Sequence, residues 1–496
     1  MTRRRPWFVA VALLAVVSLF AAACGDDDAT TTTAAATTTT AAATTTTAAT
    51  TTTGGATTTT APPAEEILFD VGVTLEPCPD SPNPENGCIY LGSLSDFTGA
   101  FATQSPLLQM GHIDFWSRVN AEGGIGPDDG QKFDVILPED LIADTEYAPT
   151  AHVAAYETIR GEVAALAETL GTTQSLAALD LFDEDNTVAA VSSWYSGWSF
   201  PEVDRGLIME TGSNYCFDAM NGFDFAVSQI FQGSTAFTYA IIGFAGDYGG
   251  DTARGVYAAA QAYGMGAPVA VIEQLPMAAG GDLGQAIATL AAAKPNLIFV
   301  TTGPVELATL MGGLYAAGHQ TAAYVGAGPT WNTGLLNAAA LVPLLQAAFF
   351  HTGPWLPVNT DTPGHAAMRW QAELAGRDNA PITGVLTTAY SAGWIMQYNI
   401  KALLEQAIAN GDLTKAGIRA AVSQLTDVSY EGMLPNRGYD GAAADQAWRT
   451  TSINRVVPGN PDGLESLTGL FEGPTAAAYD FSAPCYNLGD PFWPEG

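Results

Sequence analysis

Residues 89–124 read IYLGSLSDFTGAFATQSPLLQMGHIDFWSRVNAEGG. Ile89-Tyr90-Leu91-Gly92 is a short apolar run that predicts a buried strand. Ser95-Asp96-Phe97-Thr98-Gly99 is too polar and too glycine-dependent to continue it, so it predicts a turn. Ser105-Pro106 then predicts a helix start, with proline in the first turn where its missing N–H costs nothing. Leu108, Gly111, Phe115 and Val119 recur at helical spacing, Gly111 marking where this face lies close to a sheet, and Gly123-Gly124 ends the helix. Strand, loop and helix make the first half of a βαβ unit, whose ligands sit at the carboxyl ends of the strands.

The same alternation continues outward. Further strands are predicted at 133–137, 163–166, 188–191 and 207–210, with helices between them. It begins again after Thr211-Gly212-Ser213. A helix at 217–232 precedes strands at 239–243, 268–272, 297–301, 323–325 and 347–351, with a helix from about Asp251 to Tyr263 among the connections. Gly353-Pro354-Trp355 breaks the pattern, and long helices at 365–375, 387–409 and 414–425 lead to a last strand at 450–457. Two successive blocks of this kind predict an α/β protein with two doubly wound, Rossmann-like lobes.

Upstream, residues 1–24 read MTRRRPWFVAVALLAVVSLFAAAC, the layout of a secretory signal peptide ending in small residues before Cys24. The expectation is cleavage before Cys24 and lipidation of its thiol, two acyl chains being enough for stable anchoring. Residues 25–66 are acidic, then almost pure threonine and alanine, and predict a disordered tether. Cys78, Cys88, Cys216 and Cys485 remain, an even number in an exported chain, so two disulfides are expected. The short loop between Cys78 and Cys88 favours that pair, which leaves Cys216 with Cys485. The formal charge is −34, and removal of the leader with Arg3, Arg4 and Arg5 takes it to −37. That balance excludes nucleic acid as a partner. No GxSxG, HExxH, P-loop or paired His/Cys metal spacing occurs, so neither an enzyme nor a metal or cofactor site is expected.

The strand, the Thr-Gly loop, the helix and then Val119-Asn120-Ala121-Glu122-Gly123-Gly124-Ile125 resemble the opening of type I periplasmic binding proteins. The similarity is to the branched-chain amino acid-type substrate-binding lipoproteins of ABC transporters, and it runs to about Val457. The resemblance implies lobes joined by a three-strand hinge, with 67–214 and 352–447 in lobe 1 and 215–351 and 448–496 in lobe 2. It also implies an extracytoplasmic monomer, anchored to the outer face of the membrane by lipid alone, that serves an ABC permease; a tethered sensor without a transport role is the alternative. Laid onto this sequence, the family's ligand contacts fall on Gln104, Thr172, Thr173, Ser193, Trp194, Tyr195, Tyr248, Gly303 and Gly328. Gly328 stands where amino-acid binders carry the acid that neutralises the ligand's ammonium, so Asp247 is the one candidate to replace it. The expected ligand is a small polar organic molecule, amino-acid-like, carboxylate or amide.

Overall fold

The computed structural model of the chain describes residues 67–494. The predicted leader, Cys24 and the Thr/Ala-rich tether lie outside the described residues.

Two seven-stranded sheets organise the molecule. In the first, Gly87–Ser95 is central, longer than the apolar run that predicted it. It pairs in parallel with Phe133–Ile136 and Ile142–Asp144 on one side and with Ala165–Leu170 on the other, Leu91 lying opposite Ala165. Ala189–Ser192 and Ile208–Met209 extend that side. In the second sheet Tyr239–Phe244 lies between Ala270–Gln274 and Leu297–Thr301, followed by Ala323–Gly326 and Phe349–Gly353, all parallel. Thr451–Val456 and Leu464–Phe471 close this sheet antiparallel; the latter strand was not legible in the sequence. In each sheet the first strand of the block sits between the second and the third. The connections therefore leave in opposite directions on either side of it, and a crevice opens at the strand ends there.

The helix Ser105–Ala121 buries Leu108, Phe115 and Val119 as the spacing predicts. Gly111 does a different job from the one expected. A Cβ there would meet the Tyr390 carbonyl and the Trp394 amide of the helix Thr388–Ala409, and a Cβ on Gly393 would meet Leu108 in return. Two facing glycines let two helix backbones touch, so the close neighbour is a helix rather than a sheet. Thr388–Ala409 thereby returns the chain to the first lobe. Trp394 and Tyr398 pack edge-on against Phe115, while Gln397 accepts from Trp116 Nε1 and donates to the Ala167 carbonyl.

The chain passes between the lobes three times: after Ile208–Met209, after Phe349–Gly353 and before Thr451–Val456. The first and third passages are braced by a buried ion pair, Glu210 with Arg437 Nη1 at 2.6 Å. The Arg437 guanidinium also lies over the rings of Tyr439 and Trp448, and Tyr439 and Asn399 both donate to the Glu210 carbonyl. Cys78–Cys88 and Cys216–Cys485 form the two expected disulfides.

Candidate functional site

The crevices of the two sheets face each other, and the segments that leave them build one cavity. Its empty space, mouth included, is about 930 Å3. On the first lobe, Gly171 follows the strand Ala165–Leu170 and Thr172 opens the helix Thr172–Asp185. Ser193 and Trp194 follow the strand Ala189–Ser192 in the same way. On the second lobe the helix after Tyr239–Phe244 begins at Asp247, four residues earlier than its periodicity predicts. Gly246, with φ of 100°, makes the abrupt turn that this early start needs. Asp247 and Tyr248 thus stand in the first helical turn, on the cavity wall.

The polar end of the cavity is a chain of short contacts. Thr172 Oγ1 donates to Asp247 Oδ2 at 2.6 Å, crossing from one lobe to the other. Thr172 and Ser193 are hydrogen-bonded through their hydroxyls, and Trp198 Nε1 donates to Ser193 Oγ at 3.2 Å. Burial raises the Asp247 carboxyl to about 6. Further along the wall, Asp218 accepts from Ser213 and Thr451, two residues of the passages between the lobes, and burial raises it to about 7. His351 lies on the same wall with Nδ1 3.1 Å from Asn454 Nδ2, while Nε2 has no hydrogen-bond partner. Burial lowers this imidazole to about 4, so it is neutral at neutral pH. Among the described residues no lysine or arginine lines the cavity.

Six aromatic rings share the remaining wall with leucines, prolines and small residues. Trp194 packs against Trp355 and Tyr215 at ring separations of 5.5 and 6.1 Å, and Tyr215 against Tyr248 at 4.6 Å. Phe101 and Tyr147 form a second pair at 4.8 Å. Tyr248 is fixed through its hydroxyl, 2.7 Å from Thr330 Oγ1. Tyr147 is placed by an unusual turn: Glu146 and Tyr147 both have positive φ, 53° and 50°, and Gln174 donates to the Tyr147 carbonyl. Two consecutive non-glycine residues in the left-handed region are a strained arrangement, here aiming a ring into a cavity.

Six of the residues read from the sequence reach this wall: Gln104, Thr172, Ser193, Trp194, Tyr248 and Gly328. Gln104 also crosses the cleft, donating to the Pro329 carbonyl at 3.2 Å. Three do not line it. Tyr195 is turned away, its ring packed on Trp198 and its hydroxyl donating to the Tyr486 carbonyl. The cause is the short turn Ser196–Ser199, whose first residue is fastened to Asp251 through both its amide and its hydroxyl. Thr173 spends its hydroxyl on Gln174, one position past the residue that faces the cleft. Gly303 caps the helix Pro304–Ala316 outside the cavity. The sequence reading missed Phe101, Tyr147, Tyr215, Asp218, His351 and Trp355. Gly353-Pro354-Trp355 was the available signal, a pattern break that places a tryptophan at a passage between the lobes.

Among the described residues no helix is long and apolar enough to cross a membrane, and no group of three His, Cys, Asp or Glu is placed to hold a metal ion. Comparison with curated proteins finds no match. Among solved structures, the chain is similar to a fatty acid ABC transporter substrate-binding protein from Thermomonospora curvata. The two are 23% identical with a TM-score of 0.70, covering 84% of this chain and 97% of that one. It is similar also to a branched-chain amino acid ABC transporter protein from Thermus thermophilus with bound valine, at 14% identity, 79% and 98% coverage and a TM-score of 0.63. A third is a solute-binding protein of an ABC transporter from Rhodopseudomonas palustris HaA2 in complex with p-hydroxybenzoic acid, at 17%, 79% and 99%, and 0.60. At these identities the likeness establishes the fold. The sequence itself matches the periplasmic binding protein family over residues 89–460. With that match spanning both sheets and all three passages, the chain belongs to the periplasmic binding protein family and has its type I, two-lobed fold.

Proposed function

We propose that this protein captures a small organic solute between its two lobes and hands it to an ABC importer. Family membership implies an extracytoplasmic, solute-binding and non-catalytic protein. The observation that carries the reading further is the position of the cavity. Thr172 and Asp247 meet across it, so closing the lobes and enclosing a ligand are one event. Gln104, Thr172, Ser193, Trp194, Tyr248 and Gly328 are the proposed ligand contacts, joined by Asp247, Tyr215 and Trp355. The protein acts as a monomer, with lipidated Cys24 as its attachment to the membrane and residues 25–66 as tether.

Asp247 takes the acidic role that Gly328 leaves open, and it does so from the same lobe, at the end of a different strand. Leucine, isoleucine and valine are therefore poor fits: their carboxylate would compete with Asp247 for the same hydroxyls. Mass spectrometry of the purified protein under native conditions tests the reading, with a small organic molecule released on unfolding as the expected result. An empty cleft whose scattering profile no solute changes would end it. Replacing Cys24 with serine should release the protein into the medium or leave it uncleaved, and unchanged membrane retention would exclude lipid anchoring.

A further inference from the structure

We propose that the solute is an organic ammonium ion bearing an oxygen function, seated in the aromatic box with Asp247 and Asp218 as its counter-charges. The inference rests on the solute-binding reading and adds the chemical class. Three features of the wall point to it independently.

The first is the charge of the wall. Asp247 and Asp218 are its carboxylates, both buried, and no lysine or arginine accompanies them. A buried carboxylate without a cation is costly, and a cationic ligand removes that cost. The second is the fate of the hydroxyls. The resemblance counts Thr172 and Ser193 among the ligand contacts, yet in this chain the Thr172 hydroxyl is given to Asp247 Oδ2. An incoming carboxylate would find that donor used and a like charge beside it. The protein has put its own carboxylate where the ligand's would go.

The third is the box itself. Trp194, Trp355, Tyr215 and Tyr248 form a continuous run of rings from one lobe through the hinge to the other, with Phe101 and Tyr147 beside them. The faces of such rings attract ammonium groups, most strongly tryptophan and most of all where water is excluded. His351 supplies the oxygen contact. Asn454 Nδ2 donates to its Nδ1, so Nε2 carries the ring proton, and that buried atom makes no full hydrogen bond, the Gly328 backbone being the one group that acts on the ring. A neutral N–H donor left over in such a cavity fits a hydroxyl or ether oxygen on the ligand.

The groups facing the two acids, His351, Tyr147, Tyr215 and Tyr248, are uncharged at neutral pH, and burial raises the Asp251 carboxyl that lies behind Asp247. A bound cation therefore expels protons from Asp247 and Asp218. Affinity for an ammonium ion should rise as pH rises through about 6 to 7, with proton release detectable as a dependence of the binding heat on buffer.

The experiment is calorimetry on the whole mature protein, stripped of ligand, with choline, tetramethylammonium and phenethylammonium as cations. The controls are 3,3-dimethylbutan-1-ol, the uncharged carbon isostere of choline, and 4-hydroxybenzoate. At least one ammonium ion is expected to bind more than about tenfold tighter than the isostere. Asp247→Asn should weaken it about a hundredfold, and Trp355→Leu about tenfold. Failure of all three cations, or equal or tighter binding of the isostere or the benzoate, overturns the inference. Recovery of a neutral or anionic molecule from the cleft overturns it too, while leaving solute capture standing. Absence of any ligand together with absence of closure would remove both.

Discussion

Thr172 and Asp247 each stand in the first turn of a helix, on opposite lobes, and share a hydrogen bond of 2.6 Å across the cleft. Thr172 follows the third strand of the first lobe's block and Asp247 the first strand of the second lobe's, each at a strand end beside the crevice. The bond is therefore a latch that only the closed arrangement makes. Thr172→Val keeps the shape and removes the donor, leaving a buried carboxylate short of a partner. The closed form should lose about 1–3 kcal/mol. X-ray scattering of the ligand-free variant should give a larger radius of gyration than the parent, and identical profiles would show that the contact does not hold the lobes.

Glu210 and Arg437 tie the first passage between the lobes to the third. Glu210→Ala would strand the Arg437 guanidinium between Tyr439 and Trp448 with its charge buried. That should cost about 3–5 kcal/mol. The double replacement Glu210→Leu with Arg437→Met should recover much of the loss, because the desolvation of both charges disappears together. Urea denaturation midpoints of the three variants measure this.

Stability should fall, not rise, between pH 6.5 and 7.5. Burial holds Glu168, Asp204 and Asp218 up to about 7 and Asp247 up to about 6, all above their unfolded values. The folded state therefore binds more protons than the unfolded one in this range, and the contribution of these groups is lost as pH climbs through their folded values. His112 and His152, lowered to about 3, and His351 and His365, lowered to about 4, act oppositely, an effect that fades as pH rises past their unfolded value near 6.5. The upper part of the window thus reports mainly the acids. Asp218→Asn should flatten the slope by up to about 1.4 kcal/mol per pH unit, measurable by thermal unfolding across the window.

Non-reducing peptide mapping should recover Cys78–Cys88 and Cys216–Cys485 with no free thiol among these four. Cys216→Ser with Cys485→Ser should lower stability by about 2–4 kcal/mol, since the bridge closes a very long loop in the unfolded chain. Chemical denaturation under oxidising conditions is the measurement, and crossed pairs in the map would overturn the assignment.

The alternation of apolar strands and helices was legible because each obeys its own short period, and Leu297–Thr301 lies where the sequence puts it. The resemblance named Thr172, Ser193, Trp194 and Tyr248 as ligand contacts, and all four reach the wall because they follow strands at the crevice. Tyr195 failed because its direction is set by Asp251, a residue of the other lobe. Phe101, Tyr215 and His351 were missed for a related reason: nothing local marks them, and only the meeting of two sheets brings them together. Asp247 was visible as a candidate, but its orientation depended on where a helix begins. Gly246 decided that with a single backbone turn.

The bridge from Cys216 to Cys485 has a consequence for survival outside the cell. Its ends lie near the start of the second lobe and near the end of the chain, 269 residues apart, so the excursion that builds the hinge and the returning first-lobe helices lies inside one covalent ring. A protease that cuts any single bond within that ring leaves two pieces still joined through sulfur. Their packed surfaces stay at high mutual concentration, so a nicked molecule can go on opening and closing. Wear of that kind, which would part an unbridged protein into two, leaves this one whole.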